Sequence, residues 1–276
     1  MMNNFNVESF KKASNKNLYN NDIFNFKKNT KHLIIVEGPE DISFYRAYLL
    51  NIYDEMYIPN ITCVNNGKKE VLKLAKNNNS KFNKYIVDLD YDNKDKLTKS
   101  GAISTTGYSM ENFYFYIDKD NNNLKKVIDI VCYDYAMVKK AEDYIEYELL
   151  KVINNHIENK LYYYAYMKTL HEYNRPFSKS VKEETSNYLE VINSELDAYS
   201  KYEKKKIKTK FEENIKFIKD SKYLFIRGHD LFDLMHEYFT NCKYIDNSKI
   251  TKKYIYSLAE YLYVPEDFKE QLIKGD

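Results

Sequence analysis

With 276 residues, 43% of them hydrophobic, the chain is long enough for one large domain or two small ones around a substantial core, which excludes wholesale disorder. Its 43 basic and 41 acidic side chains leave a net charge of +2, which excludes a uniformly basic nucleic-acid coat but allows a local basic face. Cys63, Cys132 and Cys242 lie far apart with no CxxC pair, so a zinc ribbon and a disulfide framework are excluded as well.

The aromatic supply is 29 Tyr and 15 Phe with no Trp, which predicts many polar-tipped rings at the surface; an A+T-rich coding sequence would enrich the same residue types. No apolar run reaches the length of a transmembrane span, and the first residues lack an apolar signal core. The expectation is a cytoplasmic protein with no membrane partner.

Residues 1–30, rich in Asn and Lys, read as an N-terminal arm. From residue 31 the pattern sharpens. His32-Leu33-Ile34-Ile35-Val36 is the apolar run of a strand buried on both faces, and it ends at Glu37-Gly38. A helix follows from Pro39, with Glu40 and Asp41 at its positive end and Ile42, Tyr45 and Leu49 on one face. Ile61–Val64 reads as a second strand, Asn65-Asn66-Gly67 as a turn, and Lys68 to about Lys76 as a helix pointing Val71, Leu72 and Ala75 inward. Tyr85-Ile86-Val87 is a third strand, running into Asp88-Leu89-Asp90-Tyr91-Asp92, and Ala102–Thr106 is a candidate fourth. Strands alternating with short helices over 31–118 predict an α/β core with a small, mainly parallel sheet flanked by helices.

After about Asp118 the pattern turns helical, across Val138–Lys160 and Lys182–Lys219, interrupted at Asn174-Arg175-Pro176-Phe177. A largely α-helical region is expected over 119–222. Tyr223-Leu224-Phe225-Ile226 then reads as one more strand, turning at Arg227-Gly228-His229 into an amphipathic helix bearing Leu231, Leu234, Met235 and Tyr238. The segment 223–276 is expected as a strand and helices returning to the core.

Acidic groups stand at the ends of two predicted strands: Glu37 after the first, Asp88 and Asp90 after the third. In a parallel sheet the carboxyl ends of the strands open into one crevice, so residues distant in sequence meet there. Asp88 and Asp90, two apart on an extended strand end, are expected to face the same way and to need a cation between them. Charged oxygen ligands favour Mg²⁺ or Mn²⁺ over zinc. Singly, a Glu-Gly after a strand is a common turn, and an Asp-rich strand end often caps a helix or faces water. Their joint occurrence on one α/β pattern favours a site.

Val36-Glu37-Gly38-Pro39-Glu40-Asp41 resembles the first motif of the Toprim family, and Asp88-Leu89-Asp90 resembles its Asp-x-Asp at the expected separation. Asn65-Asn66-Gly67-Lys68 sits where Toprim proteins carry a Gly-rich turn. Tyr108-Ser109-Met110-Glu111-Asn112-Phe113 is similar to a Tyr-x-x-Glu-Asn signature of the AriB effectors of the PARIS anti-phage system, relatives of the OLD-family nucleases, and Arg227-Gly228-His229 resembles a closing element of those proteins. The resemblance covers roughly residues 31–118, well under half of the chain.

The resemblance implies a metal-dependent endonuclease acting on RNA such as tRNA, or on DNA. Asp88 and Asp90 would hold the principal ion, Glu37 would be a further ligand or the general base, and Asp41 and Glu111 would complete a second position. Gly38 would let a phosphate approach the backbone, with Lys68, Arg227 and His229 as substrate-binding groups. Asp92 is open between ligand and solvated loop, Lys69 between anion binding and an exposed helix start, Gly228 between site loop and packing turn. The basic run 201–210 is open between a solvated face and a phosphate-tracking surface. The chain has no P-loop, so the ABC-type ATPase that controls such effectors would be a separate polypeptide. A homodimer fits the resemblance. The alternative is a non-catalytic Toprim adaptor that docks on an ATPase or on DNA.

Overall fold

The structure is a computed structural model that describes residues 33–53, 59–78, 80, 82–118, 120–173 and 201–273. The expected arm over 1–30, His32 and the break at Asn174–Phe177 lie outside the described residues.

Four parallel strands form the sheet: β1 (Leu33–Val36), β2 (Asn60–Cys63), β3 (Asn83–Val87) and β4 (Ile103–Ser104), in the order β2-β1-β3-β4. The connecting helices are α1 (Pro39–Tyr48), α2 (Gly67–Lys76) and α3 (Lys94–Lys99). The expected α/β class is what forms. Strand order reverses at β1, so the chain leaves β1 toward one side and returns through β3 on the other. That reversal opens a crevice between the carboxyl ends of β1 and β3, which is where α/β sheets bind ligands.

Because side chains alternate along a strand, the sheet buries two faces. Leu33, Ile35, Tyr85 and Val87 pack with Val71 and Ala75 of α2 and Leu97 of α3. Ile34, Val36, Ile86 and Ile103 belong to the larger cluster, with Phe44, Tyr45 and Tyr48 of α1. That cluster also takes in the helical part of the chain, which comprises α4 (Asn123–Tyr135), α5 (Glu142–Glu172), α6 (Lys201–Ser221), α7 (Gly228–Asn241), α8 (Lys252–Ser257) and α9 (Glu266–Ile273). Aromatic rings interlock the two parts: Phe113 and Phe268 sit 5.1 Å apart, and Tyr114 and Phe232 5.4 Å apart. Among the described residues no helix is long and apolar enough to cross a membrane.

The expected strand Tyr223–Ile226 is not a strand. Lys222–Phe225 is a 3₁₀ turn continuing from α6. A run of four apolar residues does not by itself separate strand from helix, and here no strand edge receives it. Its carbonyls are taken up individually. Tyr108 N donates to Leu224 O at 2.6 Å, and Asn112 Nδ2 donates to Tyr223 O at 2.6 Å and Ile226 O at 3.0 Å. The segment still packs beside Tyr108 and Asn112, through one backbone bond and two side-chain bonds rather than a ladder.

Candidate active site

Five of the predicted carboxylates gather around the crevice between β1 and β3. Glu37, the first residue after β1, reaches across so that its Oε1 accepts the Asp88 amide at 2.8 Å. Asp41, in the first turn of α1, folds back so that its Oδ2 accepts the amides of Glu37 (3.0 Å) and Gly38 (2.9 Å). That is a helix-capping geometry, and it fixes the turn that carries Glu37. Asp88 follows β3, and its Oδ1 accepts the Met110 amide at 3.1 Å. Glu111, only 6% exposed, lies on the 3₁₀ helix Met110–Phe115 and accepts the Ser109 hydroxyl on Oε2 at 2.6 Å. Each of the four is thus aimed by a bond to one oxygen.

The second oxygens of Glu37, Asp41 and Asp88 accept no hydrogen bond from the described residues, and that of Glu111 lies 3.7 Å from His229 Nδ1. Their electrostatics reflect this crowding. Burial pushes Glu37 up to about 7, with Asp90 and Asp41 adding like charge against the opposing Asp88 amide and Lys68. Burial, then the charge of Glu111, pushes Asp41 up to about 6. Burial and four carboxylate neighbours hold Asp88 well above the usual range. Glu111 differs: burial raises it, but the bonds from His229 and Ser109 outweigh that and leave it below the usual range.

Asp90 does not share the direction of Asp88. The strand ends at Val87, and Asp90 adopts a left-handed backbone (φ 49°), a conformation Asp tolerates better than most residues. The same-facing pair expected from strand alternation therefore does not form. Asp90 instead turns to Lys68, whose ammonium donates to Asp90 Oδ2 at 2.8 Å and to the Asp88 carbonyl at 2.5 Å, and pairs with Asp92 Oδ2 at 2.7 Å. Lys68 was expected as a phosphate-binding cation; its charge is committed to the protein's own carboxylates. Asp92 also meets His171 of α5 at 2.9 Å, so it belongs to the site's border rather than to a solvated loop. Lys69 is exposed.

Gly38 presents open space, with nothing within 4 Å of where a Cβ would stand. Gly228 is needed for a different reason than a special backbone angle. A Cβ there would lie 2.3 Å from Ser109 Oγ and 2.7 Å from Asn112 Oδ1, so only glycine lets α7 approach the Glu111 segment. That approach brings His229 to the rim, between Glu111 and Asp233, whose Oδ2 is 3.3 Å from Nε2. Arg227 is held 3.7 Å from Asp230, which also accepts the Tyr164 hydroxyl at 2.7 Å. The basic face 201–210 lies on α6; Lys205, Lys206 and Lys210 line a groove there with Tyr173.

Tyr45 was expected only as an apolar face residue. Its hydroxyl is buried with no hydrogen-bond partner among the described residues, and the charges of Asp88, Asp41 and Glu37 reach it. A buried orphan hydroxyl beside unpaired carboxylates calls for a water or an ion. Among the described residues, no three His, Cys, Asp or Glu groups stand close enough to form a ready metal cage. The donors nevertheless fit a hard divalent ion by chemistry: all are carboxylate oxygens, and Glu37, Asp41 and Asp88 each have one to spare, whereas the second oxygen of Glu111 faces His229. No protein-family model, curated protein or solved structure matches the chain at a significant level.

Proposed function

We propose that this chain is a divalent-metal-dependent endonuclease of the Toprim type, cleaving phosphodiesters of RNA such as tRNA, or of DNA, as the cytoplasmic effector of an anti-phage system governed by a separate ABC-type ATPase. The observation that carries the reading is the set of buried, aimed and uncompensated carboxylates at the switch point of a parallel sheet. Burying Glu37, Asp41, Asp88 and Glu111 in one crevice costs stability, and the capping bonds of Asp41 and the imidazole beside Glu111 leave Glu37 and Asp88 without a paired cation among the described residues. Residues with strongly perturbed protonation in a cleft are candidates for function.

Mg²⁺ or Mn²⁺ bound there would stabilise the charge that develops on the phosphoryl oxygens. Glu37 and Asp88 would hold it through their spare oxygens, and Glu111 through the oxygen that faces His229. If Glu37 instead stands outside the ion's shell, its proton affinity near neutrality suits it to accept a proton from an attacking water. Asp41 orients Glu37 through the turn amides. His229 at the rim, half exposed and raised in pKa chiefly by its bond to Glu111, places a cationic donor where a phosphate would enter. Gly38 leaves the facing backbone bare.

Incubation of the purified chain, alone and with its ATPase, with total RNA and plasmid DNA tests the reading. Cleavage is expected with Mg²⁺ or Mn²⁺, and none with EDTA or in Glu37→Ala and Asp88→Ala. Cleavage or cellular toxicity that persists in both variants would rule the catalytic assignment out. An adaptor would bind its partner equally well after either change.

A further inference from the structure

The crevice holds two groups of carboxylates, and only one of them is already neutralised. Lys68 starts α2, directly after Gly67, whose positive φ (56°) turns the chain sharply at that point. Val71 and Ala75 anchor the helix to the sheet, and the Lys68 side chain, 17% exposed, runs along the protein to the end of β3. An ammonium has three protons. All three have strong acceptors here: Asp88 O at 2.5 Å, Asp90 Oδ2 at 2.8 Å and Asp92 Oδ2 at 2.7 Å. The left-handed turn at Asp90 and the Asp92–Leu89 backbone bond at 2.9 Å shape the loop around that nitrogen. His171 adds a second basic group against Asp92.

On the other side, among the described residues, Glu37, Asp41 and Asp88 form no ion pair and Glu111 meets the rim imidazole of His229; the Lys68 charge reaches Glu37 without a bond to it. The orphaned Tyr45 hydroxyl lies within reach of that group's charges. We infer that Lys68 is a built-in counter-cation standing where a second metal ion would otherwise bind, so the site takes one divalent ion, on the Glu37–Asp88–Glu111 side, instead of two. For a second ion to use Asp90, the ammonium would have to leave three acceptors and remain buried without them, which is the costly way to break such a pair. Two cations crowded on Asp88 and Asp90 would also repel each other across a poorly solvated gap. This inference rests on the metal-binding reading above.

Mn²⁺ titration of the full-length protein, followed by calorimetry and by the loss of the free-ion resonance signal, reads the stoichiometry directly. One ion per wild-type chain is expected. Lys68→Met, verified as folded by circular dichroism, is expected to bind two. Asp92→Asn is expected to keep one ion with its affinity changed by less than about threefold, whereas Glu37→Gln, which removes a ligand, weakens binding by about tenfold or more. Two ions on the wild-type chain, or one on folded Lys68→Met, overturns the role of Lys68 and leaves the metal reading intact. No ion on the wild-type chain at millimolar Mn²⁺ overturns both.

Discussion

The two halves of the crevice treat negative charge in opposite ways. Around Asp90 and Asp92 the chain supplies the Lys68 ammonium and the His171 imidazole, at 2.7–2.9 Å. Around Glu37, Asp41 and Asp88 it supplies amides that aim the carboxylates and leaves the charge unbalanced, with the proton affinities of all three raised. The first half is what a protein does to make a buried acid tolerable. The second is a reservoir of unfavourable energy that a bound cation would relieve. Substitutions on the two sides should accordingly separate stability from activity.

The largest separation is expected at Glu37. Glu37→Gln keeps the bond to the Asp88 amide and removes the charge, so the fold should persist while cleavage falls by about 10²–10³-fold or more. A rate assay beside a urea melt checks it, and equal losses in both would mean that Glu37 is a structural residue.

Asn112 tests whether the late segment is tied to the site. Its Nδ2 holds Tyr223 O and Ile226 O, its Oδ1 accepts the Ser109 amide at 2.8 Å, and the side chain is 1% exposed. Asn112→Ala strands three buried partners, and a loss of about 2–4 kcal/mol is expected by urea unfolding. A loss below about 0.5 kcal/mol, the level of a surface change, would show that α7 docks without this clasp.

These bonds also mark where the sequence stopped being legible. Glu37 and Asp88 could be found because each stands directly after an apolar run whose pattern announces its strand, whereas Asp41 and Glu111 came only from the motifs the chain resembles. The parallel sheet followed from the same periodicity; its strand order, and with it the switch point, did not. Lys68 was visible as a helix-start lysine, but its direction depends on a left-handed residue at Asp90 that strand alternation does not foresee. His171 enters from a helix about eighty residues away, and the clasp of Asn112 on Tyr223 and Ile226 spans more than a hundred. Nothing local encodes such contacts; they follow from packing the helical part onto the sheet. For the same reason Tyr223–Ile226 reads as a strand in isolation and is a turn in place.

A smaller effect, of opposite sign to the usual core substitution, is expected at Asp88. Asp88→Asn retains an acceptor for the Met110 amide while deleting the most crowded charge, so the metal-free protein should gain about 1–2 kcal/mol. Lys68→Met should instead lose about 2–3 kcal/mol, since Asp90 and Asp92 keep a third of their surface and are only partly desolvated. Melting curves without metal decide it: if both variants fall, the contrast between the two halves is not real.

The mildest test is pH. In the folded chain Glu37 holds its proton up to about 7, against an ordinary 4.5, and Asp41 up to about 6, against 3.8. Between those values the folded state keeps protons that the unfolded chain has released. Stability from these two groups is therefore complete below their ordinary values and is lost as pH rises toward neutrality. Metal-free protein should melt a few degrees lower at pH 7.5 than at pH 5, at about 2–4 °C per kcal/mol for a chain of this size. His229, raised chiefly by its bond to Glu111, acts in the same sense above its ordinary 6.5. A divalent ion binds the deprotonated carboxylates, so added Mg²⁺ should flatten or invert the slope. Glu37→Gln should flatten it without metal. A melting temperature that rises from pH 5 to pH 7.5 in the absence of metal would mean the carboxylates on the Glu37 side are already compensated, as those around Lys68 are.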